Sequence, residues 1–204
     1  MAQEIGDRKR SVSISTDSPV WDRFFTIAPL VLVGSREGGG GYDLAPKHMA
    51  MPLGWQNYYC FVCSPRHATQ HNVETTGEFT VSFPRPDQIL QASMAAGPRV
   101  EDGSKPTLAA LETFPASTVD GILVRGAYLW LECSLERMLE GFGDNSLIIG
   151  KVVAASVDER ALRASESDDG DLIRDAPLLA YLSPGRFASV ENSSSFPFHV
   201  DFSI

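Results

Sequence analysis

Thr69-Gln70-His71-Asn72-Val73-Glu74-Thr75-Thr76-Gly77-Glu78-Phe79-Thr80-Val81-Ser82 is the stretch whose reading decides the fold. Its first half continues a helix signal that opens at Ser64-Pro65, with a hydroxyl residue as N-cap and proline as the first helical residue. Gly77 ends that helix, because a residue without Cβ adopts the left-handed conformation of a C-terminal cap at little cost. The second half, Glu78–Phe83, is a strand rich in aromatic and β-branched residues, closed by Pro84 and Pro86. A helix therefore feeds directly into a strand.

Strand signals lie on both sides. Thr26–Ser35 is short and rich in β-branched residues, and Gly38-Gly39-Gly40-Gly41 after it reads as a hairpin loop. No helix follows those glycines, so they do not form a phosphate-cradling loop. Tyr42–Met49 contains Pro46, which cannot donate to a ladder, and reads as an irregular or edge strand. Asn57–Ser64 is the next strand. Beyond Pro86 the pattern becomes helical from about 87 to 115, with breaks at Gly97-Pro98 and Lys105-Pro106, and predicts an insertion lying over the sheet. Gly121–Glu140 and Ser146–Val157 predict a long antiparallel hairpin across the turn Gly141–Asn145. Glu166–Asp171 reads as a solvated acidic loop, and Pro177–Leu182 as a short helix or turn. The sum is six or seven mostly antiparallel strands, a mainly β small barrel with inserted helices. The expected layout is an arm over 1–25, the barrel over 26–190 and a tail over 191–204, whose Phe196, Phe198 and Phe202 call for something to dock on.

The chain has 204 residues, 43% hydrophobic and 21% charged, in the range of globular proteins. A net charge of −9 argues against a nucleic-acid partner, which needs a basic surface, but not against an anionic ligand in a locally positive site. No apolar run is long enough to span a membrane, and the first residues carry no apolar signal core, so no membrane partner and a cytoplasmic location are expected. Three cysteines do not make a disulfide framework. Cys60 and Cys63 are three apart on a strand and point to opposite faces, which disfavours a shared metal or disulfide. His67 and His71 share a helix face but lack further ligands, so no metal site is expected.

The order of motifs resembles the flavin reductase-like family, with its FMN-binding split barrel and its flavoredoxins. The likeness rests on Ala28–Val33; on Asp43-Leu44-Ala45-Pro46, where the family has Asn-x-Ala-Pro; on Thr69–Ser82; on Gly143-Asp144-Asn145-Ser146-Leu147-Ile148-Ile149-Gly150-Lys151-Val152, where the family has Gly-Asp-His-x-x-x-x-Gly-x-Val; and on Leu179–Phe187. It runs from about Thr26 to Ala188. Asn145 replaces the family's histidine, and Lys47-His48 replaces an aromatic and a serine, so the fold is implied more strongly than NAD(P)H:flavin reductase activity.

The resemblance implies bound FMN, with NAD(P)H or a redox protein as electron donor, and a homodimer with the flavin near the subunit interface. The FMN phosphate needs a helix N-terminus, hydroxyls and a cation. Ser64, Arg66 and Thr69 supply them, and Asn72 lies nearby by likeness. Ala45, Pro46, Lys47, His48 and Met49 would give backbone contacts to the ring, with Lys47 or His48 at the edge where charge grows on reduction. Met49 would pack on the ring or fill core. Cys63, Asp144, Asn145 and Arg186 complete the implied cofactor set. The cofactor carries the chemistry, so no catalytic acid, base or triad is expected from the protein. Two other readings remain: a non-catalytic split barrel that binds flavin or haem, with His48 or His71 as haem ligand, and an enzyme acting on an organic substrate under the insertion.

Overall fold

The computed structural model describes residues 11–163 and 168–197. In chain order its elements are β1 (Thr26–Pro29), β2 (Val31–Arg36), β3 (Tyr42–Lys47), β4 (Ala50–Pro52), β5 (Tyr58–Cys63), α1 (Ala68–Thr76), β6 (Glu78–Phe83), α2 (Ile89–Met94), β7 (Thr113–Pro115), β8 (Ile122–Val124), β9 (Leu129–Phe142), β10 (Asn145–Val157), α3 (Asp169–Asp175), β11 (Leu178–Ser183) and β12 (Arg186–Val190). Seven strands form one sheet in the order β3-β2-β6-β9-β10-β5-β4, β1-β11-β12 form a second, and β7-β8 a third. The large sheet curls into the half-barrel of a split-barrel protein.

Bending starts in the long β9–β10 hairpin. Its register shifts at Asn145/Leu147, Ile149/Gly150 and Val152/Ala154, and each such irregularity adds bend and twist. Gly150 sits at one of them, and a Cβ there would run into the Phe79 ring and come within 3.0 Å of Cys133 Cβ. The concave face holds Val31, Val33, Tyr59, Phe61, Phe79, Val81 and Ile148 in one buried cluster, with Phe61 and Phe79 edge to face at 5.2 Å. On the other face Leu30, Leu32 and Leu44 pack against Ala92, Ala95, Leu111, Val124 and Leu179. The segment after β6 thus covers β2 and β3 from outside.

Several elements differ from the sequence-based expectation. Thr26–Ser35 is not one strand: the chain switches sheets at Leu30, so β1 pairs with β11 while β2 pairs with β3 and β6. Ser64 does not cap the helix. His67 N–H donates to the Ser64 carbonyl at 2.9 Å, closing a turn, and α1 begins only at Ala68. Its end is as read, with Gly77 at φ 72°. Gly121–Glu140 is broken at Gly126, whose φ of 82° sends the chain from β8 into β9. The second predicted helix of the insertion is a 3₁₀ turn, Pro106–Ala110, followed by β7. Of Pro177–Leu182, all but Pro177 belongs to β11, because both edges of this strand find partners in β1 and β12. The acidic stretch carries α3, which Asp168 caps by accepting from Gly170 and Asp171 N–H. Phe198, Phe202 and the first part of that acidic stretch lie outside the described residues.

The loop joining β7 to β8 is held by one buried carboxylate. Glu132 of β9 accepts from Ser117 N–H and hydroxyl, Thr118 N–H and Val119 N–H at 2.6–3.1 Å. Burial pushes its pKa up, but these donors outweigh burial and hold it below the usual glutamate range. Its stabilising contribution is therefore fully present above the unfolded-state value of about 4.3 and disappears as pH falls through the lower folded-state value. Glu132→Gln, which keeps one acceptor and turns an NH2 toward the donors, is expected to lower unfolding stability in urea at pH 7 by about 2–3 kcal/mol. The gap to the parent protein should narrow below pH 4; a gap that stays constant would contradict this role.

Candidate functional site

β3, the turn before α1 and the segment after α2 converge on one cavity of about 350 Å³. Asp43, Ala45, Pro46 and Lys47 form one wall. Arg66, His67, Ala68 and Thr69 form the second, and Ala95, Ala96, Gly97, Arg99 and Lys105 the third. Pro46 fits β3 because β3 is the sheet edge. Thr69 is buried in the first turn of α1, and no side chain caps that helix at His67. The start of a nine-residue helix, with its unpaired amides and positive dipole end, therefore lies in the wall.

The cavity is strongly cationic on an acidic protein. Lys47 is buried and its ammonium lies 3.3 Å from Cys63 Sγ. Lys105 Nζ donates to Asp43 Oδ1 at 3.1 Å and to the Leu44 carbonyl at 2.8 Å. Arg99 lies 3.3 Å from Asp43, pairs closely with Glu37 and donates to the Gly103 carbonyl. Arg66 is mostly exposed, and its 3.6 Å approach to exposed Asp144 holds it weakly. Neighbouring imidazoles feel this field. The pKa of His67 is lowered by partial desolvation and then by Lys47 and Arg66, with Asp43 opposing. That of His48 is lowered by burial and then by Lys47. Both rings are thus biased toward the neutral form, and the positive potential comes from the lysines and arginines.

On the far side of Arg66 lies a second cavity of about 340 Å³, lined by Ser64, Pro65 and Arg66 and, from the β9–β10 hairpin, by Glu140, Gly141, Gly143, Asp144, Asn145 and Ser146. Ser146 is fully buried and its hydroxyl has no hydrogen-bond partner among the described residues. The two cavities flank the 64–69 segment.

Of the residues singled out from sequence, Ala45, Pro46, Lys47, Arg66 and Thr69 meet in the first cavity, and Ser64, Asp144 and Asn145 line the second. Cys63 stands behind Lys47. His48 instead stacks on Tyr181, ring centroids 4.6 Å apart, and Met49 is more than half exposed. Asn72 is buried and donates to Ser35 Oγ at 3.0 Å, tying α1 to β2. Arg186 is exposed on β12 and lines neither cavity. Asp43, Arg99 and Lys105 were not singled out. Lys105-Pro106 read only as a helix break, and nothing local in the sequence pairs it with a carboxylate 62 positions earlier.

The sequence profile described as Flavin reductase like domain matches residues 24–188. The chain belongs to the flavin reductase-like family. The flavoredoxin of Methanosarcina acetivorans superposes with a TM-score of 0.74 at 18% identity, covering 94% of this chain and 97% of that one. Nitrilotriacetate monooxygenase component B of Bacillus cereus gives 0.76 at 19% identity over 91% and 98%. The NADH:FAD oxidoreductase of Streptomyces globisporus gives 0.69 at 15% over 87% and 96%. At such identities the structures speak for the shared fold, and the profile speaks for the family and its flavin-linked redox chemistry. Among the described residues no helix is long and apolar enough to cross a membrane.

The donor set fits a flavin phosphate: two lysines and two arginines, a buried threonine and an uncapped helix start around one polar-walled space. Asp43 is the counter-charge that keeps Lys105 in place. Lys105→Met leaves the buried Asp43 carboxylate with Arg99 alone and is expected to cost about 1–3 kcal/mol, less than a fully orphaned buried charge. Asp43→Asn together with Lys105→Met should recover most of that loss in urea unfolding; strict additivity of the two changes would contradict the pairing.

Proposed function

We propose that the protein is an FMN-dependent oxidoreductase that holds the flavin phosphate in the cavity between β3, the start of α1 and the Arg99–Lys105 segment. The observation that carries this reading is the meeting of Lys47, Arg66, Arg99 and Lys105 with Thr69 and the uncapped helix start in a chain of net charge −9. Arg66 and Lys105 would neutralise the phosphate, with Thr69 and the first amides of α1 fixing its orientation. The Ala45–Lys47 backbone would face the ring, and the buried Lys47 ammonium would stabilise negative charge on it. When bound, the flavin supplies hydride or electron chemistry with NAD(P)H or a redox protein as donor. Dimerisation would bury part of the apolar surface exposed at Trp21, Phe25, Ile27 and Trp55. FAD is the competing flavin, since a similar fold serves an NADH:FAD oxidoreductase.

The purified protein should be yellow, retain FMN through desalting in preference to FAD, and bleach under anaerobic titration with NADH or NADPH. A yellow protein that bleaches only with a reduced protein donor would mark an electron carrier. A colourless protein that takes up neither flavin, or that gains a Soret band from haemin instead, would overturn the proposal.

A further inference from the structure

Cys63 and Lys47 sit on strands far apart in the sheet order. β3 is one edge of the seven-stranded sheet, and β5 lies next to the other edge. Curling of the sheet brings their last residues together across the open seam, with Lys47 Nζ 3.3 Å from Cys63 Sγ. Both side chains are buried, and Lys47, which touches the sulfur, also lines the cationic cavity. The sulfur's other polar contact is the Ser64 carbonyl at 3.7 Å. An amine at this separation is already within the 3–3.5 Å approach range of reacting atoms. The other thiols are placed differently. Cys60 lies on the opposite face of β5, and burial raises its pKa. Cys133 is pushed up to about 12 by burial and the neighbouring Glu132 charge, so it is an inert core residue.

We propose that Cys63 and Lys47 form a reversible sulfur–nitrogen bond when the protein meets hydrogen peroxide. The Cys63 sulfur attacks one peroxide oxygen, the O–O bond breaks and one water leaves, giving the sulfenic acid. Lys47, after releasing its ammonium proton to solvent, attacks that sulfur. The S–N bond forms, the S–O bond breaks, and the hydroxyl leaves as a second water with one amine hydrogen. Thiol, amine and peroxide thus become one sulfenamide and two waters, with sulfur oxidised by two electrons and peroxide reduced by two. A dithiol reverses the step by thiol attack on the same sulfur. The bond stitches the seam between β3 and β5 and removes a positive charge from the cavity. Its formation is independent of the flavin proposal; its effect on ligand affinity rests on that proposal.

The test uses the full chain, apo and FMN-loaded, treated with hydrogen peroxide, alkylated and digested with trypsin. A bonded Lys47 resists cleavage. The expected product is therefore peptide 37–66, uncut after Lys47, lighter by two hydrogens and returned to its cleavable form by dithiothreitol. It should be absent in Cys63→Ser and in Lys47→Arg and persist in Cys60→Ser. FMN affinity of peroxide-treated Cys60→Ser should fall roughly tenfold, as for loss of one charge-assisted contact, and recover with dithiothreitol. A two-hydrogen loss in a peptide beginning at His48 would mean a Cys60–Cys63 disulfide and overturn the proposal. So would a Cys63 that stays unmodified or carries two or three oxygens with Lys47 still cleavable. Because the bond is read by mass in the apo protein, a chain that binds no FMN can still show it, and a chain without the bond can still bind FMN.

Discussion

The buried carboxylate of Asp43 ties together parts of the chain that lie some 60 positions apart in sequence. It lies at the edge strand β3, and Lys105 and Arg99 reach it from the segment beyond α2. Holding that segment against β3 closes the third wall of the cavity and brings two further cations over the start of α1. The apolar packing of Leu32 and Leu44 on Ala92, Ala95 and Leu111 supplies the area, and the ion pair supplies the register. Without the carboxylate, two cations at the mouth of an already positive space would repel Lys47 and Arg66.

Asp43 stands where the sequence resemblance implies the asparagine of an Asn-x-Ala-Pro motif. A neutral amide there would leave Lys105 without its carboxylate and Arg99 with Glu37 alone. The carboxylate sets the net positive charge of the cavity to a level that an incoming anion can complete. Desolvation first, and then the same potential, lowers the pKa of His67 and of His48. An acidic protein can thus present a local anion site without becoming a general binder of polyanions.

What the sequence disclosed was local, and what it concealed was long-range. Gly77 as a left-handed cap, β6 after it, and the Gly143-Asp144 turn between two long strands were legible because a few adjacent residues determine each. The start of α1 was misread because Ser64-Pro65 carries the chemistry of an N-cap and yet closes a separate turn. β11 was misread because its strand character comes from pairing with β1, some 150 residues earlier, a relation with no local trace. The same holds at the site. Lys47, Arg66 and Thr69 came from motifs, whereas Arg99 and Lys105 required the fold to bring them to Asp43. Gly126 shows the converse: its backbone conformation broke a strand that side-chain alternation carried straight through.

In the proposed reading, the cavity between β3, α1 and the Arg99–Lys105 segment holds the flavin phosphate. A crystal structure of the protein soaked with FMN tests it most directly. The account predicts phosphate density within hydrogen-bonding distance of Thr69 and of the Arg66 and Lys105 side chains, with Asp43 still paired to Lys105. Phosphate density in the neighbouring cavity beside Gly143–Ser146, or outside both, would contradict it.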